Sequence, residues 1–278
     1  MEWFDSHCHI DEEKFDEDRD EVLLRMRKAG VTRCAVIGTD RGTSQRAAAF
    51  VKAHPGFAAA AGTHPHEAKD FLEADLELYR DLFLRGEVQA IGEIGLDYYY
   101  DLSPRETQRA VCRAQMELAY EMDAPVVFHI RDAHGDMLEI MREMKAKLTP
   151  GIIHCFSGSP ETAREYLRLG YMISFSGPVT FKKAPRLQEA ARLVPRDRLL
   201  VETDSPYLAP EPKRGRRNEP TFVPYIGMKI AELRGETPEE IAACTTENAC
   251  AIYRLRMGSI NGKRRQAPPP AESGGSFV

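Results

Sequence analysis

The sequence predicts an α/β protein with the (β/α)8 TIM-barrel fold. Eight short apolar segments alternate with longer amphipathic segments over about 255 of the 278 residues, which is a usual size for such a barrel. Most of the apolar segments are apolar on both faces, as expected where helices cover one face of a parallel sheet and a closed core fills the other. Periodicity does not show closure, so an open doubly wound sheet is the alternative.

The predicted strands are each followed by a segment with helical character. Val22, Met26 and Ala29 recur at helical spacing, and Gly30 lies where a C-terminal cap is expected. Serine followed by proline, at 103–104 and 159–160, is typical of a helix start. The strands are expected at residues 2–6, 32–37, 57–62, 88–92, 125–129, 151–154, 171–174 and 199–202.

One barrel domain is predicted over residues 1–257, followed by a flexible tail over 258–278. No segment before the tail has the composition of an interdomain linker. The tail combines Lys263, Arg264 and Arg265 with three prolines and a Ser/Gly stretch, and it has few apolar residues.

The net charge of −5 is local and excludes no anionic partner. Residues 11–20 carry seven acidic and two basic side chains, so the rest of the chain sums to neutrality. Six cysteines show no C-x-x-C spacing, which favours a reducing compartment over a disulfide framework. No secretory signal and no apolar run of membrane-spanning length is visible, so we expect a cytoplasmic protein without a membrane partner.

Metal-capable side chains recur at the predicted strand ends. His7 and His9 are two residues apart, so in extended backbone both imidazoles face the same side. In a barrel the carboxyl ends of the strands meet at one mouth, where active sites lie. Further metal-capable residues, each at the end of an apolar segment, are Glu93, His129, His154 and Asp204.

With these residues, the sequence resembles the TatD family of metal-dependent deoxyribonucleases within the amidohydrolase superfamily. The resemblance runs from Phe4 to about Tyr253 and leaves out only the tail. It implies a TIM barrel, a divalent-metal site and 3′–5′ exonuclease or related phosphodiesterase activity. The motifs that carry it are FDSHCHID, GTHPHEA, GEIGLDYYYD, VFHIRDAHGD, IIHCFSGS and VETDSPYLAPEPKRGRRNEP. By these motifs the metal ligands would be His7, His9, Glu93, His129, His154 and Asp204, none of which is substituted.

Two divalent ions per chain are expected in such a site. His7, His9 and Asp204 can hold one ion, His129 and His154 the other, and Glu93 can bridge them. Two ions about 3.5–4 Å apart can share a water, lower its pKa and stabilise the attacking and leaving oxygens at phosphorus.

The two carboxylates, Asp204 and Glu93, are therefore the expected catalytic residues, with Asp204 as general base. Histidine-rich ligand sets favour zinc or manganese. The family resemblance implies magnesium, so the metal stays open.

Substrate contacts are predicted at four residues around this site. His64 matches the family's substrate-proximal histidine, and Arg131 lies two residues past His129. Glu202 precedes Asp204 by two residues, and it could orient a ligand histidine, bind a further ion or contact substrate. Arg216 belongs to a basic cluster over residues 213–217 that could contact phosphate.

Two neighbouring features are left as interpretations with alternatives. The tyrosines at 98–100 could stack on an unpaired base or pack between helices. His66 is interpreted as a residue of a helix start without a functional role.

The leading hypothesis is a 3′–5′ exodeoxyribonuclease that prefers single-stranded ends. DNA is the expected substrate, with RNA or tRNA as alternatives, because the same chemistry can attack carbonyl carbon in D-aminoacyl-tRNA or another ester or amide. A non-catalytic nucleic-acid-binding module is a third interpretation, against which the intact ligand set argues. The oligomeric state stays open, with a monomer slightly favoured.

Overall fold

The structure, a computed structural model, describes residues 1–256. It contains one eight-stranded parallel sheet whose strands are ordered β1 to β8 in sequence. The strands are β1 Trp3–Cys8, β2 Val31–Ile37, β3 Ala58–Ala61, β4 Ala90–Asp97, β5 Val126–Arg131, β6 Gly151–Ile153, β7 Met172–Phe175 and β8 Leu199–Val201. The predicted tail at 258–278 lies outside the described residues.

Helices alternate with these strands, and two follow the last one. The α-helices are α1 Arg19–Lys28, α2 Arg41–Ala53, α3 Glu73–Leu84, α4 Arg105–Glu121, α5 His134–Glu143, α6 Pro160–Arg168, α7 Pro185–Leu193, α8 Val223–Arg234 and α9 Pro238–Ile252. Short 3-10 helices lie at Glu13–Phe15, Pro65–Asp70, Lys145–Lys147, Gly177–Thr180, Arg196–Arg198 and Pro220–Phe222. In the described part of the chain, no helix combines the length and the apolar character that crossing a bilayer requires.

The sheet closes on itself, so the barrel prediction is confirmed. The chain that leaves β8 continues alongside β1, where the amide of Asp204 donates to the carbonyl oxygen of His7 at 2.9 Å. The amide of His9 donates in turn to the carbonyl oxygen of Ser205 at 2.8 Å, and Cys8 bridges to Ser205 in parallel register. The open sheet is therefore excluded, and the ends of β1 and β8 lie side by side.

Two apolar layers hold the barrel together, one inside it and one between strands and helices. Along β3, Ala58 and Ala60 belong to the inner layer, and Ala59 and Ala61 belong to the outer layer. Tyr253, just past α9, reaches the barrel interior, where its hydroxyl donates to the carbonyl oxygen of Ser6 at 2.9 Å. The interior below the strand ends is thus largely filled with apolar side chains.

A β-bulge in β4 turns Glu93 toward the barrel interior. Ala90 faces the inner layer and Ile91 the outer one, but after a register shift Ile94 and Leu96 again face outward. Without the shift, strict alternation would point Glu93 outward, and bulges next to active sites re-aim side chains in this way. Gly95 allows the close approach of β5, because a Cβ there would lie 2.0 Å from the carbonyl oxygen of His129.

The predicted strands are all present, with three differences that affect the site. β1 extends to Cys8, so His7 lies within the strand rather than just after it. β4 runs to Asp97, so Glu93 lies inside the strand rather than at its end. β5 includes both His129 and Arg131. These three strands run past their apolar segments because polar residues near the mouth still pair with the neighbouring strand.

Candidate metal centre

The carboxyl ends of the strands surround a cavity of about 550 Å³. A volume of this size is typical of small-molecule and substrate sites. Its walls are formed by His9, Glu12, Thr39, His64, His66, Glu67, Glu93, Asp97, Tyr100, His129, Arg131, His154, Asp204, Tyr207 and Leu208. Five of the six predicted metal ligands line it, and the sixth, His7, is fully buried beside them.

The first ligand group consists of His7, His9 and Asp204. The Nε2 atoms of His9 and His7 lie 3.5 and 3.8 Å from Oδ1 of Asp204. Nδ1 of His9 donates to the carbonyl oxygen of Ile37 at 2.9 Å, which leaves the lone pair of neutral His9 on Nε2, facing Asp204. A register shift in β1 between Asp5 and Cys8 turns the two histidines toward the interior, and the closure of the barrel brings Asp204 to the same point.

Glu93 lies between the first ligand group and a second ligand group, His129 and His154. Its Oε2 is 3.2 Å from Nε2 of His7, on the side of the first group. Its Oε1 is 2.7 Å from Nε2 of His154 and 2.8 Å from Nδ1 of His129. The two oxygens of one carboxylate thus face the two groups, which is the geometry that a bridging ligand requires.

Each histidine of the second ligand group also contacts a carboxylate on its far side. Nε2 of His129 lies 2.9 Å from Oδ2 of Asp97, which is fully buried. Nδ1 of His154 lies 3.1 Å from Oε1 of Glu202, and the same oxygen accepts from the amide of Cys155 at 2.7 Å. Partners of this kind orient metal-ligating histidines and raise their basicity.

The electrostatics of the centre favour positive charge at its middle. Burial opposes ionisation of Glu93, but His154 and His7 outweigh it and hold the pKa of the carboxyl well below its usual value. Burial likewise opposes protonation of His9, yet the hydrogen bond to Asp204 raises its pKa to about 9. Metal ions compete with protons for such nitrogens, so a bound cation would satisfy the same carboxylates.

The residues present fit a metal-binding role. Both ring nitrogens of His7 are buried and make no well-directed hydrogen bond, although Nε2 lies 3.2 Å from Oε2 of Glu93. A cation bound at Nε2 would satisfy that nitrogen. Ligand atoms of His7, His9 and Asp204 all lie within 4.8 Å of one another. Imidazole with carboxylate suits zinc or manganese better than magnesium.

His64, a predicted substrate contact, lines the same cavity with a defined tautomer. Its Nδ1 accepts from the backbone amide of His66 at 3.1 Å, so the proton of the neutral ring is on Nε2. Burial and the neighbouring His129 lower its pKa well below the usual value, which keeps the ring neutral. His64 therefore presents an N–H donor toward the cavity, 3.6 Å from Oε1 of Glu93.

Arg131, the second predicted substrate contact, lies in the cavity wall. Its guanidinium stacks 3.9 Å from the ring centre of Tyr99 and 4.9 Å from that of Tyr100. Among residues 1–256 it has no ion-pair partner, in contrast to most arginines of the chain. Its N–H groups are therefore available to an anion.

The other two predicted substrate contacts, Glu202 and Arg216, do not line the cavity. Glu202 is fully buried behind His154, so its placement corrects the prediction of a substrate contact and matches the alternative that it orients a ligand histidine. Arg216 is exposed and outside the cavity wall.

The rest of the basic cluster at 213–217 has other contacts. Arg217 pairs with Asp18 at 2.7 Å, and Arg214 and Lys213 lie over aromatic rings. One of the four cations of the cluster is thus neutralised by an ion pair, and none of the four lines the cavity. Tyr207 and Leu208, which precede it in the same loop, line the cavity instead.

Sequence reasoning missed Asp97 and undervalued His66. Asp97 lies four residues after Glu93 on the same inward face of β4, so alternation beyond the bulge could have found it. Nε2 of His66 lies 3.0 Å from Oδ2 of Asp97, and the ring lines the cavity. His66 lies in the first turn of the helix at Pro65–Asp70, as predicted, and His64 and His66 have the same two-residue spacing as His7 and His9.

Comparison with known proteins assigns the chain to a family. The family model described as TatD related DNase matches residues 4–254. A metal-dependent hydrolase from Bacillus subtilis, YabD, is 45% identical over 91% of this chain and 99% of its own length. A protein named 3′-5′ ssDNA/RNA exonuclease TatD, from Pantoea vagans, is 38% identical over 91% and 99%. The crystal structure of the TatD homologue YjjV from Escherichia coli superimposes with a TM-score of 0.85 at 30% identity, over 91% and 98% of the two chains. The chain therefore belongs to the TatD-related DNase family of metal-dependent hydrolases.

Proposed function

We propose that this protein is a metal-dependent 3′–5′ exonuclease that acts on single-stranded DNA ends and also on RNA. The observation that carries the proposal is the carboxylate of Glu93, whose two oxygens face two histidine groups at the base of one cavity. The relative from Pantoea vagans, named as a single-strand exonuclease, supports this choice of substrate. The tail is not needed for the proposal.

Two metal ions would be held by residues of this chain. His7, His9 and Asp204 would hold one ion, and His129 and His154 the other, with Glu93 between them. When bound, such ions polarise the phosphoryl oxygens, lower the pKa of water and neutralise charge that develops at phosphorus. The two groups have similar donors, so we propose zinc or manganese for both positions and magnesium as the alternative.

Asp204 is the carboxylate best placed to act as general base. Its side chain is 15% exposed at the cavity wall, whereas that of Glu93 is 3% exposed. Burial opposes ionisation of Asp204, but the hydrogen bond with His9 lowers its pKa below the usual value, so it is ionised and able to accept a proton. In hydrolysis it would take that proton from the attacking water.

His64 and Arg131 would contact the phosphate. The Nε2–H of neutral His64 can donate to a phosphoryl oxygen or to the leaving oxygen, because its Nδ1 is already occupied by the amide of His66. Arg131 can donate from its guanidinium to a second phosphate oxygen. A carbonyl substrate without phosphate would leave this arginine without an anion, which favours a nucleic acid over a simple ester.

The cavity favours unpaired ends. The candidate ligands lie at its base, among residues that are largely buried, so the scissile phosphate must enter below the rim. A single strand can pass into such an opening, whereas a duplex must fray first at the cost of stacking and pairing. We place the enzyme in the cytoplasm, which agrees with six free thiols and no disulfide in the described part of the chain.

The test is product analysis on a 5′-labelled single-stranded DNA, the same RNA sequence and the blunt duplex. The expected result is stepwise release of mononucleotides from the 3′ end, faster on the single strand than on the duplex. Chelation should stop release and added manganese should restore it. Deacylation of D-aminoacyl-tRNA without mononucleotide release, or equal rates on single strand and duplex, would contradict the proposal.

A further inference from the structure

A pair of exposed tyrosines and an arginine form the rim of the cavity beside the second ligand group. Tyr99 and Tyr100 lie in the turn after β4 and are 57% and 55% exposed, and Arg131 ends the neighbouring strand. The two rings are nearly perpendicular, with centroids 4.9 Å apart, and the guanidinium of Arg131 lies over both. We refer to these three side chains as the rim platform.

The rim platform is fixed to the candidate metal centre through Asp97. Oδ1 of Asp97 accepts from the backbone amides of Tyr99 and Tyr100 at 3.0 and 2.8 Å. Its Oδ2 contacts His129 and His66. One buried carboxylate thus sets both the position of a ligand histidine and the turn that presents the two rings.

The same arrangement leaves the guanidinium of Arg131 without an ion-pair partner among residues 1–256. Asp97 is the register partner of Arg131 across β4 and β5, but its oxygens are engaged by His66, His129 and the tyrosine amides. A guanidinium stacked on a ring keeps its N–H edge for an anion and its outer face for another planar group.

The opposite rim has a different character. The hydroxyl of Tyr207 donates to the carboxylate of Glu12 at 2.9 Å, and the ammonium of Lys14 lies 4.3 Å from the centre of its ring. The ammonium of Lys14 also lies 3.8 Å from the carboxylate of Glu12, so these two charges compensate each other, whereas Arg131 on the rim platform has no ion-pair partner among residues 1–256. A polyanionic strand is therefore expected to pass over the rim platform and not over Tyr207.

Resting on the proposed function, we infer that the rim platform is a stacking subsite for an unpaired nucleobase adjacent to the scissile phosphate. Tyr100 and Arg131, which line the cavity, supply planar surfaces for the base, and Arg131 also donates to a backbone phosphate. A paired base cannot present its face in this way, so the subsite selects single strands. A small ester substrate has no nucleobase that could occupy this subsite.

The test compares oligonucleotides that lack one base. A tetrahydrofuran residue replaces the 3′-terminal or the penultimate nucleotide, and kcat/KM is measured for wild type, Tyr100→Ala, Tyr100→Phe and Arg131→Gln. Stacking on one aromatic side chain predicts that wild type loses about 5- to 100-fold at one of the two positions. Tyr100→Ala and Arg131→Gln should reduce this discrimination toward unity, Tyr100→Phe should retain it, and Tyr120→Ala, an equally exposed tyrosine on α4, should leave it unchanged.

The outcomes separate this inference from the proposed function. The discrimination is a ratio of two rates from one preparation, so partial unfolding of a variant lowers both rates and leaves the ratio unchanged. If wild type releases no mononucleotide from any strand, the exonuclease proposal fails. If wild type releases mononucleotides but does not discriminate at either position, or Tyr100→Ala and Arg131→Gln both retain the full ratio, the stacking subsite is wrong and the exonuclease proposal stands.

Discussion

The two histidine groups of the candidate metal centre are held in different ways. In the first group, His9 donates to a backbone carbonyl of β2, and His7 is fixed by its place within β1 without any hydrogen bond to its ring. In the second group, each ring lies between Glu93 and a second buried carboxylate, Asp97 for His129 and Glu202 for His154.

This difference indicates where each group is vulnerable. The backbone of β1 and β2 positions the two histidines of the first group. Substitutions of side chains that pack behind these strands should therefore have little effect on metal affinity. Side chains hold the second group, so changes at residues that touch neither metal nor substrate should weaken it. Glu93 contacts both groups, so we expect its substitution to have a larger effect than a substitution behind either group.

Replacing Glu93 by glutamine should have the largest effect, because it removes the one carboxylate that faces both groups. We expect kcat to fall by at least about 10²- to 10³-fold, the scale for loss of a group that organises charge at the reacting centre. Single-turnover measurement of mononucleotide release tests this, with Glu189→Gln on the exposed side of α7 as control. A Glu93→Gln enzyme with normal turnover would show that the carboxylate is not a bridge.

Removal of metal should lower the stability of the wild type. The ring nitrogens of His7 are buried and make no well-directed hydrogen bond, so an ion bound at Nε2 would satisfy that nitrogen. A ligand at a hundredfold excess over its Kd stabilises the native state by about 2.7 kcal/mol. Thermal unfolding before and after chelation measures the difference, and a Tm that does not change with added manganese or zinc would contradict a metal site here.

Substitutions behind the second group test the comparison directly. Asp97→Asn and Glu202→Gln should each weaken metal binding by about 10- to 100-fold, the usual effect of losing a carboxylate behind a ligand histidine. Titration calorimetry with manganese should show one weakened site out of two. Asp75→Asn is the matched control, since Asp75 is also buried but contacts Arg41 and the start of α3. Equal weakening of both sites would mean that the two groups are not independent.

The sequence predicted the barrel, which is confirmed, and it predicted that the six candidate ligands meet at one mouth, as they do; their binding of metal stays a prediction. Apolar segments mark the strands, and the residues that follow them face the mouth in any parallel barrel. Glu93 shows the limit of this reasoning. We predict this residue at a strand end from the sequence. In the structure it lies inside β4, and it reaches the cavity only through a bulge that alternation does not predict.

Contacts between side chains that are far apart in the sequence could not be predicted from it. Composition suggested four cations beside the site at 213–217, but Asp18, from another part of the chain, pairs with Arg217, and none of the four lines the cavity. The reverse holds for Arg131, which lines the cavity and has no ion pair among residues 1–256, because its register partner Asp97 is engaged by two histidines. Neither outcome depends on sequence spacing, since each is decided by which partner the fold brings near.

A substitution behind the first group should have the smallest effect. Cys34 lies on β2 beside Cys8, the residue between His7 and His9, and both thiols are fully buried in the outer layer. Cys34→Ala should cost about 1 kcal/mol of unfolding free energy, as is usual for a small loss of core volume. Manganese affinity should stay within about twofold of wild type, because the backbone of β1 and not the packing of Cys8 aims the two imidazoles. A loss of affinity as large as that of Asp97→Asn would mean that packing behind the strand also positions the first group, and the distinction between backbone-held and side-chain-held ligands would fail.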